Sequence, residues 1–308
     1  MKSFLLALIS LIPAPFVPAE PAPGKQAPAA EHPDNRKSGP RGLGGPIVLN
    51  DDDKAVFPDP PAGFDVRREQ IPHGKLEMIE YDSKSVGTKR KMQVYTPPGY
   101  TREKQYPVLY LLHGIGGDET EWEHFATPSI ILDNLLADAK LTPMIVVMPN
   151  GRAQENDRAE GDVYKHAPAF AAFEHDLFDD VIPTIENRYP TLQNRENRAL
   201  AGLSMGGGQT LNFGLSHLDQ FAWLGAFSPA PNTNPPEKLV PDPLLATQKL
   251  KLLWLSCGSK DGLIRISQGV HGYLKGKKVP HLWQVDGNAH DTPEWKNSLY
   301  HFASRIFR

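Results

Sequence analysis

The chain has 308 residues, 40% of them hydrophobic and 22% charged, with a formal net charge of -3. That is enough apolar material for one sizeable soluble core, and the charge balance gives no electrostatic case for nucleic acid or an anionic membrane surface as partner. The single cysteine, Cys257, excludes an internal disulfide and a Cys-rich zinc site.

The first residues read as a secretory signal peptide over 1–19. Lys2 supplies a positive start, residues 4–12 are apolar, and Val17-Pro18-Ala19 offers a small residue for cleavage. The apolar run is too short to span a bilayer, and no cysteine near the cleavage point suggests a lipoprotein. Residues 20–63 are rich in Pro, Ala, Gly and charge, a composition that predicts a disordered linker. Asp51-Asp52-Asp53 lacks the glycine and distal glutamate of a calcium loop and reads as a solvated part of that linker.

Order is expected from residue 64, in one domain over 64–308. Alternation predicts paired strands over 75–81 and 90–96. Short apolar runs then alternate with helical spacing. Strands are expected over 106–112, 144–148, 199–203, 221–227, 250–256 and 281–285. Helices are expected over 129–140, 170–188 (with Pro183 as a kink), 209–218, 263–274 and 293–307. Fully apolar strands separated by helices imply a mostly parallel sheet covered on both faces, the α/β class.

The chemistry centres on Gly202-Leu203-Ser204-Met205-Gly206, a G-x-S-x-G between an apolar strand and a helix. Alone the pattern is weak and could be a structural turn. In this context it predicts a nucleophile elbow, where small neighbours let a strained turn hold the Ser204 hydroxyl above the strand ends. A serine needs a base. His290 lies on the loop between the strand 281–285 and the last helix. Asp261 follows the strand 250–256, which gives the chain order Ser, Asp, His of α/β-hydrolases. Asp286 and Asp291 flank the histidine but follow no separate strand, and Asp291 is expected to cap the last helix. Asp242, in a Pro-rich loop, is a weaker acid. His175, His217, His271 and His301 fall in helical patterns and read as surface or packing residues. An acyl-transfer intermediate also needs two backbone N–H groups. Met205 supplies one; the loop His113-Gly114-Ile115-Gly116-Gly117 supplies the other, at Ile115. That loop lacks the last glycine of a dinucleotide fingerprint. With no H-E-x-x-H and no Cys/His cluster, no metal or cofactor is expected.

The runs YPVLYLLHGIGGDETEW, FEHDLFDDVIPTIENRYP, GLSMGGG, CGSKDGL and GNAHDTPEW together resemble the esterase D-like group. Within it they look most like the feruloyl and acetylxylan esterases of carbohydrate esterase family 1. The resemblance spans roughly residues 75–308. It implies an eight-stranded α/β-hydrolase sheet, an acylated polysaccharide or oligosaccharide as substrate, the triad Ser204, Asp261 and His290, and Ile115 and Met205 at the oxyanion hole. It also matches Trp295 to a structural tryptophan of that family. The polar segment 151–170, with Arg152, Glu160, Asp162 and Tyr164, has no periodicity and is expected to line or cover the acyl pocket. An S-formylglutathione hydrolase, an acyltransferase and a non-catalytic carbohydrate-binding relative are the competing readings. The signal peptide argues against the first and the intact Ser, Asp and His against the last. Acyl group, sugar backbone and oligomeric state are not set by the sequence.

Overall fold

A computed structural model describes residues 46–308; the expected signal peptide and most of the expected linker lie outside them. The chain forms one eight-stranded sheet in the order β1-β2-β4-β3-β5-β6-β7-β8. The strands are β1 Lys75–Ser83, β2 Thr88–Thr96, β3 Val108–Leu112, β4 Ile145–Pro149, β5 Arg198–Leu203, β6 Trp223–Phe227, β7 Leu252–Gly258 and β8 Leu282–Asp286. β2 runs antiparallel to both β1 and β4, and from β4 to β8 every pairing is parallel. The expected α/β sheet is therefore present, with its antiparallel pair at one edge.

Period-two alternation divides the core between the two faces. In β3, Val108, Tyr110 and Leu112 point into one apolar cluster, and Leu109 and Leu111 into the other. The helices are α1 Glu121–Phe125, α2 Pro128–Ala137, α3 Pro168–His175, α4 Ile182–Arg188, α5 Met205–Ser216, α6 Pro236–Leu239, α7 Pro243–Lys249, α8 Ile264–Gly276 and α9 Thr292–Ala303. α3, α4, α5 and α8 cover the first face through residues such as Phe173, Ile185, Leu211 and Leu274. α1, α2 and α9 cover the second through Trp122, Leu132 and Phe302.

The helix expected over 170–188 is three helical pieces. A π segment, Asp176–Val181, separates α3 from α4, and the Ile182 N–H reaches back to the Leu177 carbonyl. Pro183 has no N–H and its ring would crowd the carbonyl four residues back; a widened turn just before it relieves both.

The linker boundary near residue 64 needs correction, because residues 46–63 pack on the domain. Lys54 O accepts the Val285 N–H at 3.2 Å, and Gln284 Oε1 accepts the N–H groups of Val56 and Phe57 at 2.8 and 3.1 Å. The Phe57 ring stacks on Trp254 and lies under the Arg305 guanidinium. Nor is the acidic run wholly solvated. Asp53 is buried and accepts from Trp283 Nε1 (3.0 Å), Gln268 Nε2 (2.6 Å) and its own Asn50 N–H (2.6 Å). Asp52 pairs with His271 and Lys275. The physical reason is the exposed edge of β8. Its backbone and the polar ends of its side chains need partners, and a proline-rich strap can supply them without itself being a strand.

Candidate active site

The loops after β3, β5, β7 and β8 converge at one end of the sheet, where β3 lies between β4 and β5 and the strand order reverses. Such a switch point is where open α/β sheets bind ligands. Ser204 sits between β5 and α5 at φ 52 and ψ -117, a strained conformation for a residue with a side chain. Two glycines make the turn possible. A Cβ on Gly202 would come within 2.6 Å of the Gly206 backbone, and one on Gly206 would come within 2.5 Å of the Leu112 carbonyl oxygen. α5 begins at Met205 and not at residue 209, so its N-terminus points at the serine.

The expected serine, histidine and aspartate come together. His290 Nε2 lies 2.9 Å from Ser204 Oγ, and His290 Nδ1 lies 2.8 Å from Asp261 Oδ2. With Nδ1 donating to the carboxylate, Nε2 is the acceptor facing the serine hydroxyl. Asp261 is fully buried. Burial alone would raise its pKa, but the hydrogen bond and charge of His290, with the Leu263 N–H and the Cys257 thiol, outweigh it and hold the carboxyl below its usual range. The Trp295 ring, expected to be structural, meets the His290 ring edge-on at 5.3 Å and packs on Phe125.

The rival carboxylates have other work. Asp286 accepts from the Asn288 N–H and side chain and from Asn297, which folds the histidine loop. Asp242 caps α7 through the Leu245 N–H. Asp291 occupies the N-cap position of α9, but its side chain makes no capping hydrogen bond, contrary to expectation. His175 is exposed beside Asp179, and His217 follows the end of α5 with Glu174 as partner.

Among the described residues, no acceptor takes the backbone N–H of Ile115 or Met205. The peptide that carries the Ile115 N–H is fixed through its carbonyl. Gly114 O accepts from His113 Nδ1 at 2.7 Å and from the Gly117 N–H at 3.2 Å. His113 Nε2 in turn lies 2.8 Å from the Gly151 N and 3.0 Å from Asn150 Oδ1. Burial holds the His113 pKa down, which favours the neutral imidazole. Arg152, buried on the far side, donates to the carbonyls of Ile115 and Gly117. Glu121 accepts the Gly114 N–H at 2.8 Å. Sequence reasoning missed the roles of His113 and Glu121. The His-Gly pair was visible, but Gly151, its partner across the site, is far away in the chain.

Of the segment 151–170, only the C-terminal end joins the apolar surface beside the serine. Ala167 and Phe170 cluster with Ile115, Met205, Ala230 and Leu263. Arg152 lies behind the loop 113–117, Asp162 caps the short 3-10 turn Val163–His166, and Glu160 and Tyr164 are exposed.

Residues 83–300 match the Esterase family. The chain belongs to that family. It is 35% identical over 251 residues to an endo-1,4-beta-xylanase/feruloyl esterase of Xylanibacter ruminicola, covering 80% of this chain and 33% of that protein. The chain thus spans about a third of the length of that relative. A ferulic acid esterase of carbohydrate esterase family 1 from Anaeromyces mucronatus, solved with ferulic acid, superposes with a TM-score of 0.72 at 26% identity, covering 81% of this chain and 96% of that one. An S-formylglutathione hydrolase from Staphylococcus aureus shares the fold, with a TM-score of 0.59 at 21% identity over 75% of this chain and 96% of that one.

Proposed function

We propose that the protein is a secreted serine ester hydrolase that releases feruloyl groups, in preference to acetyl groups, from plant cell-wall polysaccharide such as xylan. The observation that carries the chemistry is the continuous hydrogen-bonded run from Ser204 through His290 to Asp261, standing on the elbow beside two free N–H groups. Ser204 Oγ attacks the ester carbonyl carbon as its proton passes to His290 Nε2. The carbonyl oxygen becomes an oxyanion held by the N–H groups of Ile115 and Met205. The intermediate collapses, the C–O bond to the sugar breaks, and the departing oxygen takes the proton from His290. Water then attacks the acyl-enzyme with His290 again as base, which frees the acid and restores Ser204.

Support for a bulky acyl group is the apolar cluster that includes Met205, the residue after the serine: Phe170, Met205 and Ala230 are buried, and Ile115, Ala167 and Leu263 pack against them only partly buried. An aromatic acid would bury the surface those three leave open, which an acetyl group is too small to cover. The xylan reading rests on the printed name of the Xylanibacter relative, and secretion rests on the leader-like sequence of residues 1–19. Rates of acyl release from methyl ferulate and from acetylated xylan, beside Ser204→Ala, test this directly. Faster release of ferulate, lost in the variant, is the expected result. Faster acetate release overturns the acyl assignment, and a fully active variant overturns the nucleophile. An S-formylglutathione hydrolase would instead prefer that thioester to both, so it belongs in the same assay.

A further inference from the structure

The acid of the proposed triad has a third partner besides its histidine and its loop. Asp261 Oδ1 accepts the Leu263 N–H at 2.7 Å. Oδ2 accepts His290 Nδ1 at 2.8 Å and also the thiol of Cys257 at 3.3 Å. A carboxylate oxygen has two lone-pair sites, so both donors can be served at once. Cys257 is the penultimate residue of β7 and is buried. Its sulfur lies 3.8 Å from the hydroxyl of Ser228, which is placed to donate to it. Ser228 is itself unusual. It is fully buried at the end of β6 with φ +46, a strained backbone for a residue with a side chain, and its N–H is spent on the Ser256 carbonyl at 2.8 Å. Burial, with the negative charges of Asp261 and Glu294, pushes the Cys257 pKa well up and keeps the sulfur protonated as a donor.

We propose that Cys257 is a positioning residue for the catalytic acid: its S–H holds Asp261 Oδ2 toward His290 and draws off part of the carboxylate charge, while Ser228 fixes the thiol rotor. This rests on the reading of Asp261 as the acid of the triad. The groups form one line, in which Ser228 donates to Cys257, Cys257 and His290 both donate to Asp261, and Ser204 donates to His290. A thiol with this geometry acts as neither nucleophile nor redox centre; it is buried and its proton is already committed. Removing the S–H leaves more negative charge on Oδ2, which favours the protonated imidazole. The acid limb of the kcat/KM profile must then move to higher pH. The remaining titratable groups near this carboxylate are Glu294 in the first turn of α9 and Asp286 at the end of β8, and they are unchanged in the variants.

The test is the pH dependence of kcat and KM on 4-nitrophenyl acetate for the full chain and for Cys257→Ala, Cys257→Ser and Ser228→Ala, with thermal melts to establish folding. Cys257→Ala should lower kcat about threefold to tenfold, with KM within about twofold, and should move the acid limb up by about half a pH unit. Cys257→Ser replaces S–H with O–H and should restore kcat and bring the limb back to or below its original position. Ser228→Ala should move the limb in the same direction as Cys257→Ala and by less. If Cys257→Ala leaves kcat and the limb in place, or if Cys257→Ser behaves like Cys257→Ala, the thiol is packing only and the proposal falls. Ser204→Ala and Asp261→Asn run alongside. Their inactivation keeps the triad reading standing whatever Cys257 shows, and their full activity removes that reading instead.

Discussion

The two halves of the candidate site are held in different ways. The half that carries the proposed nucleophile, from β3 and β5, is built mainly from backbone: a strained Ser204, glycines pressed against carbonyls, and a proposed oxyanion loop fixed by His113. The half that carries the proposed acid and base, from β7 and β8, is built from side-chain hydrogen bonds: Cys257 and His290 to Asp261, and Asn288 and Asn297 to Asp286. Backbone packing tolerates almost no change, whereas a side-chain network can lose one member and weaken by degrees. Damage to the first half should therefore displace the elbow as a unit, whereas in the second the loss should range widely with the member removed.

The largest effect should come from Ser204→Ala, which removes the nucleophile and should cost on the order of 10⁵-fold or more in kcat. Asp261→Asn keeps the shape but favours the wrong imidazole tautomer, and should cost about 10⁴-fold. The comparison is tested more sharply at Gly206→Ala. Its Cβ would meet backbone oxygens of Leu112 and His113 at 2.5 and 2.7 Å, which cannot swing aside as a side chain could. Displacing the elbow by about 1 Å should cost at least about 10²-fold in kcat. Near-normal turnover by this variant would break the contrast between the halves.

What the sequence made legible follows the same division. The elbow is local: strand, glycines, serine and helix lie within a few residues, and their periodicity and small side chains give them away. The grouping of Ser204, Asp261 and His290 could be read because each follows its own apolar strand. The supporting contacts could not. Cys257 looks like a core residue of β7, and only the folded acid loop shows its thiol turned to Asp261. His113 gains its role from Gly151, distant in the chain. The strap was misread because proline content signals the absence of regular structure, and says nothing of whether a neighbouring strand edge needs covering.

Glu294 offers a milder perturbation of the second half. It is buried in the first turn of α9, and burial, with the charge of Asp286, pushes its pKa up to about 8. Unfolded, a glutamate titrates near 4.3. Between these values the folded protein holds a proton that the unfolded chain has released, so stability falls as pH rises from about 4.5 to about 8. Glu294→Gln keeps the shape and cannot ionise, so its denaturation midpoint should lose most of that decline. Equal slopes for variant and wild type between pH 5 and 8 would place the decline elsewhere.

The smallest effect should come from outside the site. Asp53 fastens the strap to Trp283, near the start of β8, and the histidine loop follows that strand. Asp53→Ala leaves the buried Trp283 N–H without its acceptor, a loss of about 1–3 kcal/mol. Denaturant unfolding should show that loss at an unchanged m-value. The elbow, held by its own backbone on the far side of β6 and β7, should not feel it. Acylation of Ser204 by 4-nitrophenyl acetate, read from the burst of 4-nitrophenolate, depends on the base as well as the elbow, so the informative quantity is the ratio of that rate to deacylation. If the strap supports only the β8 side, both rates fall together and by less than about threefold, because the proposed mechanism uses His290 as base in each step. A loss of acylation alone would instead mean that the strap reaches the nucleophile half, and that the two halves are not independently held.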